Sequence, residues 1–173
     1  MHIGGRVNST HFELLGSAQD HAAEIHEIFS NTPVLDRLDL TDTESLCRHM
    51  AVYSAGRHTV LMSHGERADH LLILLTGAAE AVQTDGDGEL RSRLVLGPGD
   101  SWGELALLNG EPVTGTCVST EPVDFLLMSR RAYKALLLTF PRVANKLLLR
   151  FLHTASRRLA GAPSRARACA SQL

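Results

Sequence analysis

Residues 97–116 read GPGDSWGELALLNGEPVTGT, and this stretch decides the fold. It opens with a Gly-Pro-Gly turn, passes through Gly103 into a short apolar turn of helix at 104–108, and ends in small and hydroxyl residues. Gly103 lets the backbone approach a bound group closely, because it carries no side chain. The first amides of a helical turn have no partner inside the helix, so the pattern predicts a small anion site.

The run Gly103-Glu104-Leu105-Ala106 resembles the phosphate-binding cassette of cyclic nucleotide-binding domains of the catabolite-activator type. The resemblance implies that Glu104 accepts a hydrogen bond from a ribose hydroxyl. The family places a phosphate-binding arginine after the next Gly-x-Pro, where this chain has Val113. An arginine fork on a phosphate contributes roughly 1.5–3 kcal/mol, so we expect a cyclic nucleotide to bind about tenfold to a hundredfold more weakly.

The remaining positions of the cassette match the family's small and hydroxyl residues, and they supply hydroxyl and amide donors. The implied ligand is a cyclic nucleotide, cAMP or cGMP, or another nucleotide-like molecule that is non-cyclic, less charged or larger. Three arginines in strand-like segments are candidates to replace the missing cation: Arg67, Arg91 and Arg93. The predicted ligand-binding residues are Gly103, Glu104, Leu105, Ala106, Val113, Thr114, Gly115 and Thr116.

The resemblance extends from about Ile28 to about Leu159. Residues 29–55 resemble the helices that precede the family's β-roll, and Gly65-Glu66 with residues 71–77 resemble its strand, turn and following strand. The family's fold is mainly β, a jelly-roll-like β-roll with flanking N- and C-terminal helices. The alternative is that Gly-Glu-Leu-Ala is a turn followed by a buried helical turn, as in any compact β domain.

The alternation of apolar runs and turn residues along the chain agrees with this fold. Between residues 51 and 128, short apolar runs alternate with turn residues, which is typical of antiparallel strands in a sandwich or roll. Asp85-Gly86-Asp87-Gly88 predicts a hairpin tip. The predicted boundaries are a loose arm at 1–17, a domain at 18–160 and a disordered tail at 161–173; within the domain, helices occupy 18–50 and 129–160.

The last helix is predicted to begin near Pro141, since proline suits a first helical turn. Its apolar stripe, which includes Val143, Leu147 and Phe151, lies opposite a basic face that includes Lys146 and Arg150. Arg157-Arg158-Leu159 resembles the same point in catabolite-activator-type regulators, where this helix pairs with its copy. The resemblance implies a homodimer through this helix; packing of the stripe on the chain's own roll is the alternative.

Charge is distributed unevenly along the chain. Ten of the 17 basic residues and no acidic residue lie between Leu126 and the end, so the remainder holds seven basic residues and all 19 acidic ones. This basic segment predicts an acidic protein partner, or contact with the acidic part of its own dimer. Contact with nucleic acid or an anionic membrane is the alternative.

Composition and motifs exclude several classes of protein. At 173 residues and 44% hydrophobic, the chain is an ordinary globular domain, with no run of about 18 apolar residues to span a membrane. We expect it to be cytoplasmic, since no secretory signal opens it. The histidines and three cysteines lack metal-ligand spacing, and no nucleophile or phosphate-loop motif is present. Neither a metal site nor catalytic residues are predicted.

Three functions remain open. The first is a stand-alone sensor of the cyclic nucleotide-binding type, which passes ligand occupancy to a partner through its C-terminal helices. About fourteen residues follow Leu159, too few for the helix-turn-helix that follows in bacterial regulators. The second is a degenerate, ligand-free module for protein interaction or dimerisation, and the third is a binder of nucleic acid or membrane surfaces through the basic segment.

Overall fold

The computed structural model describes residues 12–84 and 89–161. Within these ranges the chain forms nine strands and five α-helices, with short 3₁₀ turns at Ala18–His21 and Leu35–Arg37. In chain order they are β1 (Glu13–Ser17), α1 (Ala22–Ser30), α2 (Leu40–Cys47), β2 (Ala51–Ala55), β3 (Val60–Met62), β4 (His70–Leu74), β5 (Ala79–Thr84), β6 (Leu90–Leu96), β7 (Ser101–Trp102), α3 (Glu104–Asn109), β8 (Thr116–Ser119), β9 (Val123–Ser129), α4 (Arg130–Thr139) and α5 (Pro141–Gly161).

The strands form two antiparallel sheets. One has the order β1-β2-β9-β4-β7 and the other the order β3-β8-β5-β6. Neighbours in each sheet come from distant parts of the chain, as where β2 pairs with β9 between Ala51 and Leu127. Such crossovers between two packed sheets define a roll rather than a simple meander. The predicted β-roll with helices at both ends is therefore confirmed.

Strand β4 shows why the domain has two cores. Its sequence, HLLIL, is buried at every position, as expected of a strand covered on both faces. Leu71 and Ile73 face a cluster built with the helices. Leu72 and Leu74, one residue out of phase, face a cluster between the two sheets. The first sheet therefore separates a helical core from an inter-sheet core.

The ends of the domain differ from the predicted boundaries. Glu13–Ser17 was predicted to belong to a loose arm, but it forms the edge strand β1 and pairs with β2; residues 1–11 lie outside the described ranges. The predicted hairpin tip at 85–88 also lies outside them, although β5 and β6 on either side pair antiparallel. Of the predicted disordered tail, Gly161 ends α5 and the remainder lies outside the described ranges.

Helix α5 packs one face on the domain and leaves another exposed. Val143, Leu147 and Phe151 are buried in the helical core, so the alternative of packing on the chain's own domain holds for these residues. Leu149 and Leu152 are 49% and 58% exposed. Among the described helices, none has both the length and the apolar character needed to cross a membrane.

Candidate functional site

The candidate site begins at Gly103, which joins β7 to α3. Its φ of +94° lies in the left-handed region, which glycine adopts at little cost. A Cβ at this position would lie 2.9 Å from the His70 carbonyl oxygen and 2.9 Å from the Met62 methyl carbon. Because β4 packs this closely, any side chain at position 103 would move the start of α3.

Glu104 is the first residue of α3, and its carboxylate is buried. The residue is only 6% exposed. Ser101 Oγ donates to Glu104 Oε1 at 2.6 Å, and Arg158 Nη1 donates to Glu104 Oε2 at 3.0 Å. A buried carboxylate needs charge-assisted partners of this kind. Both oxygens of the predicted ribose-binding group are therefore engaged within the chain.

Arg158 reaches this carboxylate from the last turns of α5. Besides Glu104, its Nη2 donates to the Ser101 carbonyl oxygen at 2.6 Å. The guanidinium carbon lies 4.8 Å from the centroid of the Trp102 ring, within the range of a cation–π contact. We call Ser101, Trp102 and Glu104 the Arg158 socket. Arg158 was not among the predicted site residues, because the resemblance at Arg157-Arg158-Leu159 predicted only a dimer helix.

The predicted phosphate end of the cassette lies on the loop before β8. Val113 is 4% exposed and packs in the inter-sheet core with Trp102 and Ala106. Its amide donates to the Glu66 carbonyl at 2.9 Å, and its carbonyl accepts from the Gly65 amide at 2.8 Å. The position at which the resemblance implies an arginine therefore holds a buried apolar side chain.

The two threonines of the cassette have partners outside it. Thr114 Oγ1 accepts from Gln83 Nε2 at 2.8 Å, and Thr116 Oγ1 accepts from the His64 amide at 3.1 Å. Position 115 between them has no room for a side chain, because a Cβ on Gly115 would lie 2.6 Å from the Val82 carbonyl oxygen. Among the described residues neither threonine hydroxyl has an acceptor for its own proton, so each can still donate.

Helix α3 exposes one further pair of side chains. Leu105 and Leu108 are 51% and 38% exposed, while Ala106 and Leu107 are buried. Leu105 was predicted as a ligand-binding residue, and it lies on the outer side of the helical turn from the buried Glu104. Its place in the site stays a prediction.

Comparison with known proteins identifies the family of this roll. The family model for the cyclic nucleotide-binding domain matches residues 53–140, just over half of the 173 residues. The chain belongs to the cyclic nucleotide-binding domain family. A crystal structure of a cyclic nucleotide-binding domain from Methylobacillus flagellatus KT superposes with a TM-score of 0.76 at 29% identity, covering 91% of this chain and 88% of that one.

Two curated relatives of this cyclic nucleotide-binding domain are regulatory proteins. The cAMP-dependent protein kinase regulatory subunit of Mycosarcoma maydis is 31% identical over 114 residues, which are 62% of this chain and 21% of the relative. The CRP-like cAMP-activated global transcriptional regulator of Mycobacterium tuberculosis is 22% identical over 122 residues, 70% and 54% of the two chains. The chain thus spans about a fifth of one relative and about half of the other.

Two more arginines of the C-terminal helices hold this cyclic nucleotide-binding domain together around the cassette. Arg130 donates to the carbonyl oxygens of Ala106 and Leu107, so it caps the end of α3. Arg150 is 3% exposed and donates at 3.2 Å to the Gly99 carbonyl and to Asp100 Oδ1. Burial lowers the pKa of the Arg150 guanidinium, and Asp100 opposes that shift. Arg150 was predicted to lie on the basic face opposite the apolar stripe, and the structure shows that its side chain is buried.

The three arginines predicted to replace the missing phosphate-binding cation have exposed side chains. Arg93 on β6 pairs with Glu80 on β5, and Arg67 and Arg91 are exposed. The cation that the structure brings to Glu104 is Arg158 instead. Sequence could not find it, because 54 residues separate the two side chains. Within the described residues, no group of three or more metal-ligating side chains occurs.

Proposed function

We propose that this chain is a regulatory sensor in which a nucleotide-like ligand competes with Arg158 for the Glu104 carboxylate. The observation that carries the proposal is the 3.0 Å ion pair between the cassette and α5. A ligand hydroxyl that takes over Glu104 Oε2 removes a partner of Arg158. Occupancy of the site is then coupled to the position of the helix that bears this arginine.

The coupling acts on the end of α5 rather than on its start. Lys146 pairs with Asp42 of α2, and Arg150 is held by Asp100 and by backbone carbonyls. These contacts do not involve Glu104. We infer that a ligand loosens the turns around Arg158 while the first half of α5 stays docked.

The output passes to a second subunit or to a protein partner. Leu149 and Leu152 on α5, with Leu138 on α4, expose large apolar side chains, Leu138 at 87%. Leu149 and Leu152 lie three residues apart and therefore share one side of α5, and adjacent exposed apolar side chains mark interaction sites more often than isolated ones do. We propose that α5 pairs with its copy in a homodimer, so that a shift of its end alters the interface. Sedimentation velocity of the wild type against Leu152→Glu checks this, and an unchanged sedimentation coefficient would exclude α5 as the interface.

A thermal-shift titration with cAMP, cGMP, AMP and cyclic dinucleotides tests the sensor. A ligand at about a hundred times its dissociation constant adds about 2.7 kcal/mol of stability. Glu104→Gln should abolish the shift, and Glu111→Gln, an exposed carboxyl next to the cassette, should keep it. Trp102 is the only tryptophan of the chain, so its fluorescence reports departure of Arg158 in the same samples. A shift of equal size in Glu104→Gln contradicts the proposal.

The second candidate function is a ligand-free interaction module. Burial of Val113 and engagement of both Glu104 oxygens inside the chain favour it. It predicts no thermal shift with any nucleotide-like compound at millimolar concentration. It also predicts that Glu104→Gln leaves partner binding unchanged, whereas the sensor predicts a change.

Nucleic acid or membrane binding receives less support from the basic segment. Three of its basic residues, Lys146, Arg150 and Arg158, pair with acidic residues of the same chain. Charges neutralised in this way contribute little to attraction of a polyanion. Both curated relatives are named as regulators, and we propose that this chain acts as one without catalysis.

A further inference from the structure

We propose that the contact between α5 and the cassette is a binding site for a small monovalent anion, held by one row of side chains on α5 and by Trp102 of β7. The row consists of Arg150, Thr154 and Arg158, and we call it the α5 row. The inference goes beyond the proposed function and does not depend on it, because the chain forms this site while Arg158 is paired with Glu104. Four buried hydrogen-bond donors and an excess of buried positive charge support it.

The α5 row lies along one face of the helix, since its members follow one another at intervals of four residues. Arg150 Nη2 donates to the Gly99 carbonyl oxygen at 3.2 Å, and Arg158 Nη2 donates to the Ser101 carbonyl oxygen at 2.6 Å. Two residues of chain span at most about 7 Å, so the two guanidinium groups bind neighbouring parts of one short segment. Thr154 lies between them on the helix.

Each member of the α5 row has a buried donor without a partner among the described residues. These donors are Arg150 Nε, Thr154 Oγ1 and Arg158 Nε, and the indole Nε1 of Trp102 is a fourth. The Arg150 and Trp102 residues are only 3% and 4% exposed. A buried donor that lacks an acceptor is unfavourable, and four at one contact indicate a guest that accepts hydrogen bonds.

Trp102 and Arg158 bring two of these donors close together. The Arg158 guanidinium carbon lies 4.8 Å from the centroid of the Trp102 ring, and Arg158 Nε is bonded to that carbon. Thr154 precedes Arg158 by one helical turn, a spacing that places Cβ atoms about 5–6 Å apart. These distances allow one small ion to contact donors of several of these residues.

The buried charge at this contact is positive. Arg150 and Arg158 carry two positive charges, and the side chains of their acidic partners, Asp100 and Glu104, are 44% and 7% exposed. Because water screens Asp100, its carboxylate offsets Arg150 only in part. Burial lowers the pKa of the Arg150 guanidinium, Asp100 and Glu104 oppose that shift, and Arg157 adds to it. One further negative charge balances the contact, whereas a divalent anion exceeds what is needed.

An anion suits these donors better than water does. The nitrogen atoms of arginine and tryptophan side chains donate and do not accept. A water molecule that accepts from them brings two protons of its own, which need acceptors. The acceptors described at this contact already receive donors: both carboxylate oxygens of Glu104 and the carbonyl oxygens of Gly99 and Ser101. An anion accepts hydrogen bonds and adds no proton that needs a partner.

An anion at this site stabilises the docked position of α5. It reduces the repulsion between the two guanidinium groups, while each keeps its carbonyl and carboxylate partners. A ligand that binds only the folded state raises the stability of that state as its concentration rises. The stability of the domain should therefore depend on which anion is present.

Thermal unfolding of the full chain at constant ionic strength tests the inference. Sodium chloride replaces sodium gluconate stepwise, because gluconate has the same charge and is too large for a buried site. Sodium formate and sodium nitrate are titrated in the same way. We expect at least one of the three small anions to raise the melting temperature until the effect saturates.

Thr154→Val is the matched test of the site, since it keeps the shape of the side chain and removes its donor. It should raise the anion concentration at half saturation by roughly tenfold. Thr139→Val is the control, because Thr139 is exposed on α4 and donates to the Ala135 carbonyl oxygen. Arg157→Ala removes an exposed charge beside the α5 row. General charge screening would respond to Arg157→Ala and not to Thr154→Val.

Quenching of Trp102 fluorescence by iodide gives a second measurement that needs no variant. Trp102 is the only tryptophan of the chain, and at 4% exposure it has little contact with ions in bulk water. Iodide bound beside the indole should quench it saturably. Chloride should reverse the quenching, sulfate should reverse it less, and gluconate should not.

A saturating anion effect that Thr154→Val weakens and Thr139→Val keeps would support the site. A rise in stability that never saturates and is equal in both variants would overturn the inference, and so would iodide quenching that chloride does not reverse. Water alone would then satisfy the four donors. These measurements use no nucleotide, so their outcome is separate from that of the sensor.

Discussion

The guanidinium of Arg158 lies 3.0 Å from the carboxylate of Glu104, although 54 positions separate the two residues in sequence. Its side chain is 27% exposed, whereas that of Glu104 is 7% exposed. The contact therefore joins the end of α5 to a largely buried carboxylate. Four predictions concern this contact and the groups that surround it.

Arg158→Ala should destabilise the domain by about 1–3 kcal/mol, because Glu104 then keeps Ser101 alone as a side-chain partner among the described residues and becomes a poorly compensated buried charge. Urea unfolding monitored by circular dichroism measures the loss. Arg157→Ala, at the exposed neighbouring position, should stay within about 0.5 kcal/mol of the wild type. Equal effects of the two variants would show that the ion pair contributes nothing to stability.

Arg150→Met should cost about 2–4 kcal/mol, since it removes the partner of the buried Gly99 carbonyl and of Asp100. Arg150→Lys should lose less stability than Arg150→Met but remain less stable than the wild type, because an ammonium cannot reproduce the fork of a guanidinium. The exposed Arg142 on the same helix gives the control variant Arg142→Met. The free energy of unfolding of each variant measures the effect. If Arg150→Met is as stable as the wild type, Arg150 does not have the proposed structural role.

Cys117 reports opening of the site. Burial raises the pKa of its thiol to about 12, and Arg158 and Glu104 are near enough to affect it. In a Cys169→Ser background, labelling of Cys117 by a maleimide should be slow in the wild type and faster in Arg158→Ala. Cys47, buried in the helical core, is the internal control and should accelerate less than Cys117, because it reports only the loss of global stability. Peptide mapping of the labelled protein separates the two, and parallel acceleration at both cysteines would indicate global unfolding instead.

His70 should make stability fall in mildly acidic solution. Burial lowers the pKa of its imidazole below the ordinary value of 6.5, with Asp69 and Glu66 opposing the shift. The unfolded chain then binds the proton more readily than the folded one, so this contribution is complete above about pH 6.5 and is lost as pH falls below it.

Urea unfolding at about pH 7.5 and about pH 5.5 measures this loss. His70→Asn should reduce it, while His64→Asn, at an exposed position, should not. Burial also lowers the pKa of His49, so part of the pH dependence should remain in His70→Asn. An identical loss in wild type and His70→Asn would exclude His70 as its source.

Several elements of the fold could be predicted because their signals are local. Pro141 marked the start of α5, and it is the first residue of that helix. The apolar run at 71–75 predicted a strand, and β4 is buried throughout. The cassette was recognisable for the same reason, since Gly103 and Glu104 adjoin in the chain and the turn between β7 and α3 needs a glycine.

Other elements were missed where distant parts of the chain meet. Glu13–Ser17 has no clear strand pattern, and it is ordered by pairing with β2 about 40 residues later. Arg150 was assigned by helical periodicity alone to a basic face opposite the apolar stripe. Periodicity cannot show that Gly99 and Asp100 lie beside that face and hold the guanidinium in a buried position.

By itself, the sequence determined the β-roll, its flanking helices and the absence of an arginine at position 113, because strand patterns, turn glycines and residue identity are properties of short segments. Only the tertiary structure decided that Arg158 occupies the socket of Ser101, Trp102 and Glu104. The physical reason is that a buried carboxylate takes whichever cation the packing brings within hydrogen-bonding distance. Here the packing of α5 on the helical core brings Arg158 to Glu104.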